Sequence, residues 1–173
     1  MSDLSKFTPL SIAILTVSDS RVEATDKSGN LLKKKLESSG HILADKKICK
    51  DNIYEIRAIV SGWIVTSQLD VVLTTGGTGV TGRDGTPEAV SPLFDKTLDG
   101  FGEMFRALSY DEIVTSTLQS RAIAGVANAT YVFALPGSPG ACRLAWDSLI
   151  EHQLNSTTKP CNLVELMPRL LEK

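Results

Sequence analysis

The sequence predicts an α/β fold, a three-layer αβα sandwich with a mainly parallel sheet between two layers of helices. Strand-length apolar segments alternate along the chain with segments whose apolar residues recur at helical spacing. The first strand candidate, Leu10–Val17, is apolar almost throughout, the pattern of a strand buried on both faces. We find no internal repeat and no low-complexity linker in the 173 residues, so we expect a single domain over residues 1–173.

The first half of the chain supplies two strands and two helices. After Leu10–Val17, the polar turn Ser18–Arg21 precedes a helix expected over roughly Asp26–Ser39. Residues 41–49, HILADKKIC, form a less apolar strand candidate that we expect nearer an edge of the sheet. Asn52 is a suitable cap for the next helix. The apolar residues of that helix recur at helical spacing: Ile53, Ile56, Val60, Trp63 and Ile64.

The second half continues the alternation. Asp70–Thr75 is a third strand candidate, and Thr86-Pro87 predicts a helix start with Thr as N-cap and Pro at the first helical position. We expect a further helix over Ser116–Val126 and a fourth strand over Thr130–Leu135. Two other apolar stripes predict helices: Phe101, Met104, Phe105 and Leu108, and then Cys142, Ala145, Trp146, Leu149 and Ile150.

Four polar loops follow the strand candidates. They are Ser18–Arg21, Lys50-Asp51-Asn52, Gly76–Asp84 and Pro136–Pro139. If the strands are parallel, these loops meet at one edge of the sheet, where ligands of such folds bind. The sequence therefore predicts a site assembled from four separate regions of the chain.

The glycine-rich loop, GGTGVTGRDG, does not match the two common nucleotide-binding patterns well. A Walker A loop needs Lys followed by Ser or Thr after its last glycine, and Arg83-Asp84 stands there instead. Gly77, Gly79 and Gly82 match GxGxxG, but the helix is delayed to about Thr86 and the motif follows the third strand. An NAD-binding enzyme is therefore disfavoured.

The remaining functional interpretation is an anion cradle, in which successive backbone N–H groups bind phosphate. Asp84 would repel a phosphate unless a cation lies between them, and Mg²⁺ takes oxygens from both groups. The alternative is that Asp84 only helps to cap the next helix and the glycines only make a turn. Ser138 is similarly open, because Ser followed by Pro is a common helix start, and Asp51 could be an ordinary loop acid. Neither histidine is near these loops in the sequence, so no catalytic His is indicated.

Composition narrows the class of protein. The net charge of −2 predicts no general attraction to nucleic acid or to anionic membranes. The three cysteines are widely spaced and form no CxxC, which fits a reducing compartment. The N-terminus, MSDLSKFTPL, lacks the apolar core of a signal peptide, and no run approaches the ~20 apolar residues of a membrane span. We expect a soluble cytoplasmic protein.

The motifs TTGGTG, RDGTPEA, FGEMFR and LPGSPGA, together with AILTVSDSR near the start, resemble the MoaB/Mog family of molybdenum cofactor biosynthesis. The likeness covers nearly the whole chain in the same order. It implies a three-layer fold that binds molybdopterin, a pterin with a dithiolene and a terminal phosphate. It also implies a homo-oligomer, either a trimer or a dimer of trimers, and leaves open other pathway proteins as partners.

The resemblance also implies roles for individual residues. Asp51 and Asp84 match two functional acids of the family, which implies that they are catalytic and position Mg²⁺ and ATP. The cofactor-binding residues that it implies are Ser18, Asp19, Gly76, Gly77, Thr78, Gly79, Gly137 and Ser138. Glu103 and Arg106 match the FGE-x-x-R segment, where helix packing or a salt bridge explains them equally well.

Two functions follow from the resemblance. The first is adenylylation, the transfer of AMP from Mg-ATP to the terminal phosphate of molybdopterin, and intact Asp51 and Asp84 favour it. The second is a non-catalytic molybdopterin-binding or carrier protein of the same pathway. Active members usually carry a basic residue soon after the serine of PGSP, where this chain has Gly140. Arg83 or Arg143 would have to supply the positive charge that the basic residue gives in those members.

Overall fold

The computed structural model describes residues 6–66 and 68–172. The first five residues, which contribute to the expectation about a signal peptide, and the last residue of the predicted 1–173 domain lie outside the described residues. Within the described ranges, no helix combines the length and apolar character needed to cross a bilayer.

The element order alternates strands and helices, as predicted. The strands are β1 (Ser11–Val17), β2 (Ile42–Cys49), β3 (Val71–Thr75), β4 (Lys96–Thr97), β5 (Ile123–Ala127) and β6 (Thr130–Leu135). The α-helices are α1 (Lys27–Ser38), α2 (Ile53–Val65), α3 (Thr86–Val90), α4 (Asp99–Ile113), α5 (Pro139–Ala145), α6 (Glu151–Leu154) and α7 (Leu163–Leu166). A π-helical turn, Trp146–Ile150, joins α5 to α6.

The six strands form one sheet in the order β2-β1-β3-β6-β5-β4. β2, β1, β3 and β6 are parallel, whereas β5 and β4 add to the sheet by antiparallel pairing. The predictions of a mainly parallel sheet and of an edge position for residues 41–49 are confirmed. In the ladder Val17 pairs with Cys49, Thr16 with Thr75, and Thr75 with Leu135, so the four parallel strands end side by side.

Helices cover both faces of the sheet, which confirms the three layers. Alternate side chains of β1 enter different cores because successive residues of a strand point to opposite faces. Ile12 and Ile14 pack with residues of α1, α4 and α5, whereas Ala13 and Leu15 pack with residues of α2 and α3. The central strands are therefore buried on both sides, which explains their almost continuous apolar sequence.

The helix predicted over Ser116–Val126 is wrong. Residues Val114–Gln119 form a 3₁₀-helical turn and Ile123–Ala127 form β5. β5 makes a hairpin with β6 through Asn128 and Ala129, whose φ angles of 47° and 63° suit a tight two-residue turn. Antiparallel pairing with β6 therefore determines the conformation of the second half of this stretch.

Candidate active site

The four predicted loops lie together at the carboxyl edge of the parallel strands, around a cavity of about 540 Å³. Nine of the ten predicted site residues line it: Ser18, Asp19, Asp51, Gly76, Gly77, Thr78, Gly79, Asp84 and Gly137. Ser138 is not among the lining residues. The structure thus brings the predicted residues together, and their individual roles remain predictions.

Two glycines at the end of β3 have backbone conformations that other residues rarely adopt. Gly76 has φ of 106° and Gly77 has φ of 65°. A Cβ at Gly76 would collide with the carbonyl oxygen of Val17, and one at Gly77 would lie 2.5 Å from Oγ1 of Thr86. The loop therefore needs glycine at both positions to pass this close to β1 and α3.

The helix after the loop begins one residue earlier than predicted. Gly85 is the N-cap of α3, so Thr86 is its first helical residue and Pro87 its second. The expectation that Thr86 caps the helix is wrong because its buried hydroxyl donates to the carbonyl oxygen of Gly76 at 2.8 Å. The N–H of Thr86 donates to the carbonyl oxygen of Gly77 at 2.9 Å. The hydroxyl and the N–H of Thr86 together therefore hold the first turn of the loop in place.

The Asp84 carboxylate is held within its own loop. Its Oδ2 accepts hydrogen bonds from the N–H of Thr81 at 2.8 Å and from the Thr81 hydroxyl at 2.6 Å. These bonds, the hydroxyl's first, lower the pKa of Asp84, and the charge of Arg121 acts in the same direction. Asp84 is therefore an ionised group whose orientation the loop fixes.

The surroundings of the Asp51 carboxylate raise its pKa, whereas those of Asp84 lower the pKa of Asp84. Its Oδ1 is buried and has no hydrogen-bond partner in the described part of the chain. Burial raises the pKa of Asp51, and the carboxylates of Asp84 and Asp19 raise it further, against the backbone N–H of Gly85 and the charge of Arg83. The structure thus places a partly buried acid near two other acids, an arrangement that a cation would stabilise.

The residues at this point fit Mg²⁺, which the resemblance implies. Mg²⁺ is commonly held by one or two carboxylates plus phosphate oxygens of a substrate. Asp51 has a buried oxygen without a partner in the described ranges, and the ionised Asp84 lies close enough to raise the pKa of Asp51. The described residues hold no cluster of three or more His, Cys, Asp or Glu side chains that could bind a metal alone. A cation here would therefore depend on a bound phosphate for further oxygens.

Asp19 joins two of the loops and is already paired. Its Oδ2 accepts from Arg83 at 2.5 Å, and its Oδ1 accepts from the N–H of Asp51 at 3.2 Å. The hydrogen bond from Arg83 is the first cause of the lowered pKa of Asp19. Ser18 acts locally, because its hydroxyl accepts from the N–H groups of Ser20 and Arg21. These contacts fix the loop after β1 against the loops after β2 and β3.

The PGSPG loop packs directly on the glycine loop. A Cβ at Gly137 would lie 3.2 Å from Cα of Gly76, and the Ser28 hydroxyl donates to the carbonyl oxygen of Gly137 at 2.7 Å. The Ser138 hydroxyl accepts from the N–H of Ala141, which makes Ser138 the N-cap of α5. Arg143 does not supply the positive charge that is missing at Gly140, because it faces α1 in a separate surface depression.

A buried ion pair lies beneath the cavity. Asp26, which is 1% exposed and lines the cavity, accepts from Lys46 and from the Thr16 hydroxyl, each at 2.8 Å. It also caps α1 by accepting from the N–H of Gly29. Burial alone would lower the pKa of Lys46, but Asp26 and Glu23 together raise it. Charge and hydrogen bonding thus fix the floor of the cavity.

Two residues that contact this site were not predicted from the sequence. Ser120 lines the cavity with a buried hydroxyl that has no partner among the described residues. Arg121 donates to the carbonyl oxygens of Gly79 and Asp84, at 2.7 and 3.0 Å. No local signal marks either residue, because both belong to a segment predicted as a helix. Glu103 and Arg106, by contrast, line a different cavity near β5.

Comparisons with known proteins agree with this fold. Residues 13–156 match the model of the molybdenum cofactor biosynthesis family described as a probable molybdopterin binding domain. Molybdenum cofactor biosynthesis protein B of Escherichia coli K12 is 56% identical over 163 residues, which cover 94% of this chain and 96% of that protein. The chain therefore belongs to this family, and the resemblance drawn from the sequence is confirmed.

Solved structures of relatives have the same fold as this chain. A crystal structure of molybdenum cofactor biosynthesis protein B has a TM-score of 0.83 at 47% identity, over 85% of this chain and 92% of that one. The tungsten cofactor synthesizing protein MoaB from Pyrococcus furiosus has a TM-score of 0.74 at 39% identity, over 83% of this chain and 92% of that chain.

Proposed function

We propose that this chain binds molybdopterin in the cavity at the sheet edge and adenylylates its terminal phosphate with Mg-ATP. The observation that carries the proposal is the buried Oδ1 of Asp51, which has no partner among the described residues and lies beside Asp84 at the glycine loop. Burying a carboxylate in that position costs free energy unless a cation neutralises it. Nucleotidyl transfer also needs a cation, held between two acids and a phosphate.

The residues suit a reaction that depends on positioning. Gly76 and Gly77 let the loop pass close to β1 and α3, and the loop lines the cavity, where its backbone is available to a bound ligand. Asp51 and Asp84 would hold Mg²⁺, which neutralises the charge developing on the phosphates when it is bound. The pterin phosphate is ionised near neutral pH, so the chain needs no strong base. The hydroxyl of Ser120, which has no partner in the part of the chain that the structure describes, is a further donor available to a bound ligand.

A specific observation supports the alternative of a non-catalytic molybdopterin-binding or carrier protein. Gly140 supplies no charge at the PGSPG loop, and Arg143 faces away from the cavity. Arg83 is engaged by Asp19 at the rim. A site with less positive charge would bind the pterin phosphate and yet stabilise the transferring phosphate less well.

We also propose a single domain, a cytoplasmic location and a homo-oligomer. The free cysteines Cys49, Cys142 and Cys161 are compatible with a reducing compartment. Exposed apolar side chains recur at the end of α4 and in the 3₁₀-helical turn after it, which supports contact with a second copy: Tyr110, Ile113, Val114 and Leu118.

Purified wild-type protein, incubated with molybdopterin, ATP and Mg²⁺, distinguishes the two functions. The transferase predicts the adenylylated pterin and pyrophosphate in equal amounts, and their loss when Mg²⁺ is chelated. Molybdopterin binding at micromolar concentration without product would support the carrier and overturn the transferase. An absence of molybdopterin binding would overturn both.

A further inference from the structure

We propose that Arg121 is a positioning residue that holds the second half of the glycine loop, residues 78–84, and thereby aims the Asp84 carboxylate at the cavity. Arg121 does not line the cavity itself. The inference rests on the proposed function only in assigning a metal-holding role to Asp84.

Arg121 contacts the loop at three points. Its backbone N–H donates to the carbonyl oxygen of Thr78 at 3.1 Å. Its Nε donates to the carbonyl oxygen of Gly79 at 2.7 Å, and one terminal nitrogen donates to that of Asp84 at 3.0 Å. Thus a single residue from a distant part of the chain joins the start and the end of this half of the loop.

The remaining guanidinium nitrogen pairs with the Glu88 carboxylate. Glu88 belongs to the TPE sequence at the start of α3. The pair with Glu88 therefore anchors the Arg121 guanidinium to a helix while the guanidinium donates hydrogen bonds to the loop. The planar fork of Arg can reach several acceptors at fixed angles, whereas the single ammonium of Lys cannot. This geometry accounts for an Arg at position 121.

The two halves of the loop have separate supports. Gly76 and Gly77 accept hydrogen bonds from Thr86, and the hydrogen bonds of Arg121 in the described part of the chain go to other residues. Asp84 is held by Thr81 and, through its carbonyl oxygen, by Arg121. Loss of the Arg121 guanidinium should therefore release the half that carries Asp84 and leave the half next to β3 in place.

Amide hydrogen exchange of the unliganded protein tests this separation. In Arg121→Gln we expect exchange of the Thr81 and Asp84 amides to become about tenfold faster. The amides of Gly76 and Thr86, which donate to Leu135 and Gly77, should change less than about twofold. Arg121→Lys should lie between the wild type and Arg121→Gln.

Arg57→Gln is the matched control. Arg57 also donates to backbone carbonyl oxygens, those of Glu88 and Ala89, and within the described ranges it has no hydrogen bond to a residue of the loop. The Arg57→Gln change should leave exchange of the Thr81 and Asp84 amides unchanged. Uniformly faster exchange in Arg121→Gln, including Gly76 and Thr86, would indicate a general loss of stability and overturn the proposal. Unchanged exchange would overturn it as well.

A second readout connects the position of Asp84 to the reaction. In Arg121→Gln, the Mg²⁺ concentration for half-maximal adenylylation should rise about tenfold, while the Kd for molybdopterin stays within about twofold. Equal losses of pterin affinity and Mg²⁺ response would contradict the positioning role. If the wild type transfers no AMP, the transferase fails, and the exchange experiment still decides the role of Arg121.

Discussion

The hydroxyl of Thr86 donates a 2.8 Å hydrogen bond to the carbonyl oxygen of Gly76, and the two residues lie on opposite sides of the glycine loop. The contact closes the loop over Gly77, whose own carbonyl oxygen accepts from the N–H of Thr86. Gly77 is therefore enclosed between α3 and the Asp51 carboxylate. A Cβ there would be 2.5 Å from Oγ1 of Thr86 and 3.0 Å from Oδ1 of Asp51.

Gly77→Val should abolish molybdopterin binding and lower the free energy of unfolding by about 2 kcal/mol, because it adds strain at a positive φ and a steric conflict. Urea unfolding and pterin titration measure the two effects. Gly82→Val is the control, since a Cβ at Gly82 meets no atom within 4 Å, and its stability should change by less than about 0.5 kcal/mol. Unchanged pterin affinity in Gly77→Val would mean that the loop is only a turn.

Lys46→Met tests the buried pair beneath the cavity. The change leaves the Asp26 carboxylate buried without its cation, although Thr16 and the Gly29 amide still donate to it. We expect a loss of about 3 kcal/mol in the free energy of unfolding at pH 7, measured by urea denaturation.

Lys47→Met is the matched control for that change. Lys47 pairs with Asp45 at the surface, where such pairs contribute about 0–1 kcal/mol. Similar losses in the two variants would contradict a special contribution from the Lys46–Asp26 pair.

His41 predicts a pH dependence of stability. Its Nδ1 accepts from the N–H of Leu10 at 3.2 Å, and its buried Nε2 has no partner in the described ranges. Burial lowers the pKa of His41 below its ordinary value of 6.5. The unfolded chain therefore binds the proton first, and the free energy of unfolding should decrease as the pH falls below 6.5.

Each unit by which the pKa of His41 is lowered contributes about 1.4 kcal/mol to that decrease. Urea denaturation between neutral and mildly acidic pH measures it. His41→Asn, which keeps an acceptor for Leu10, should flatten the dependence, and His152→Asn at an exposed position should not. Equal slopes in the wild type and His41→Asn would assign the pH dependence to other groups.

The sequence was sufficient for the parallel part of the sheet. β1, β3 and β6 are mostly apolar, and a polar loop follows each of them at the point where parallel strands must end. Once those strands are parallel, their loops meet at one edge, so the location of the cavity follows from the topology alone. Nine of the ten predicted residues line the cavity for this reason.

The hairpin of β5 and β6 could not be predicted in the same way. The sequence IAGVA contains alanine and glycine, which have little preference for strands. Gly125 is required because a Cβ there would collide with the ring of Phe94, a residue far away in the sequence. Arg121 escaped prediction for a related reason, since its partners at Gly79 and Asp84 are 42 and 37 residues away.

The most direct measurement is the rate of adenylylation by Asp84→Asn, at saturating molybdopterin and Mg-ATP, beside Asp111→Asn at an exposed position of α4. Because Asn retains the shape of Asp without its charge, we predict a loss of about 100-fold in the transfer rate with pterin affinity largely unchanged. Asp111→Asn should match the wild type. A transfer rate in Asp84→Asn equal to that of the wild type would contradict the role of Asp84 in holding the metal.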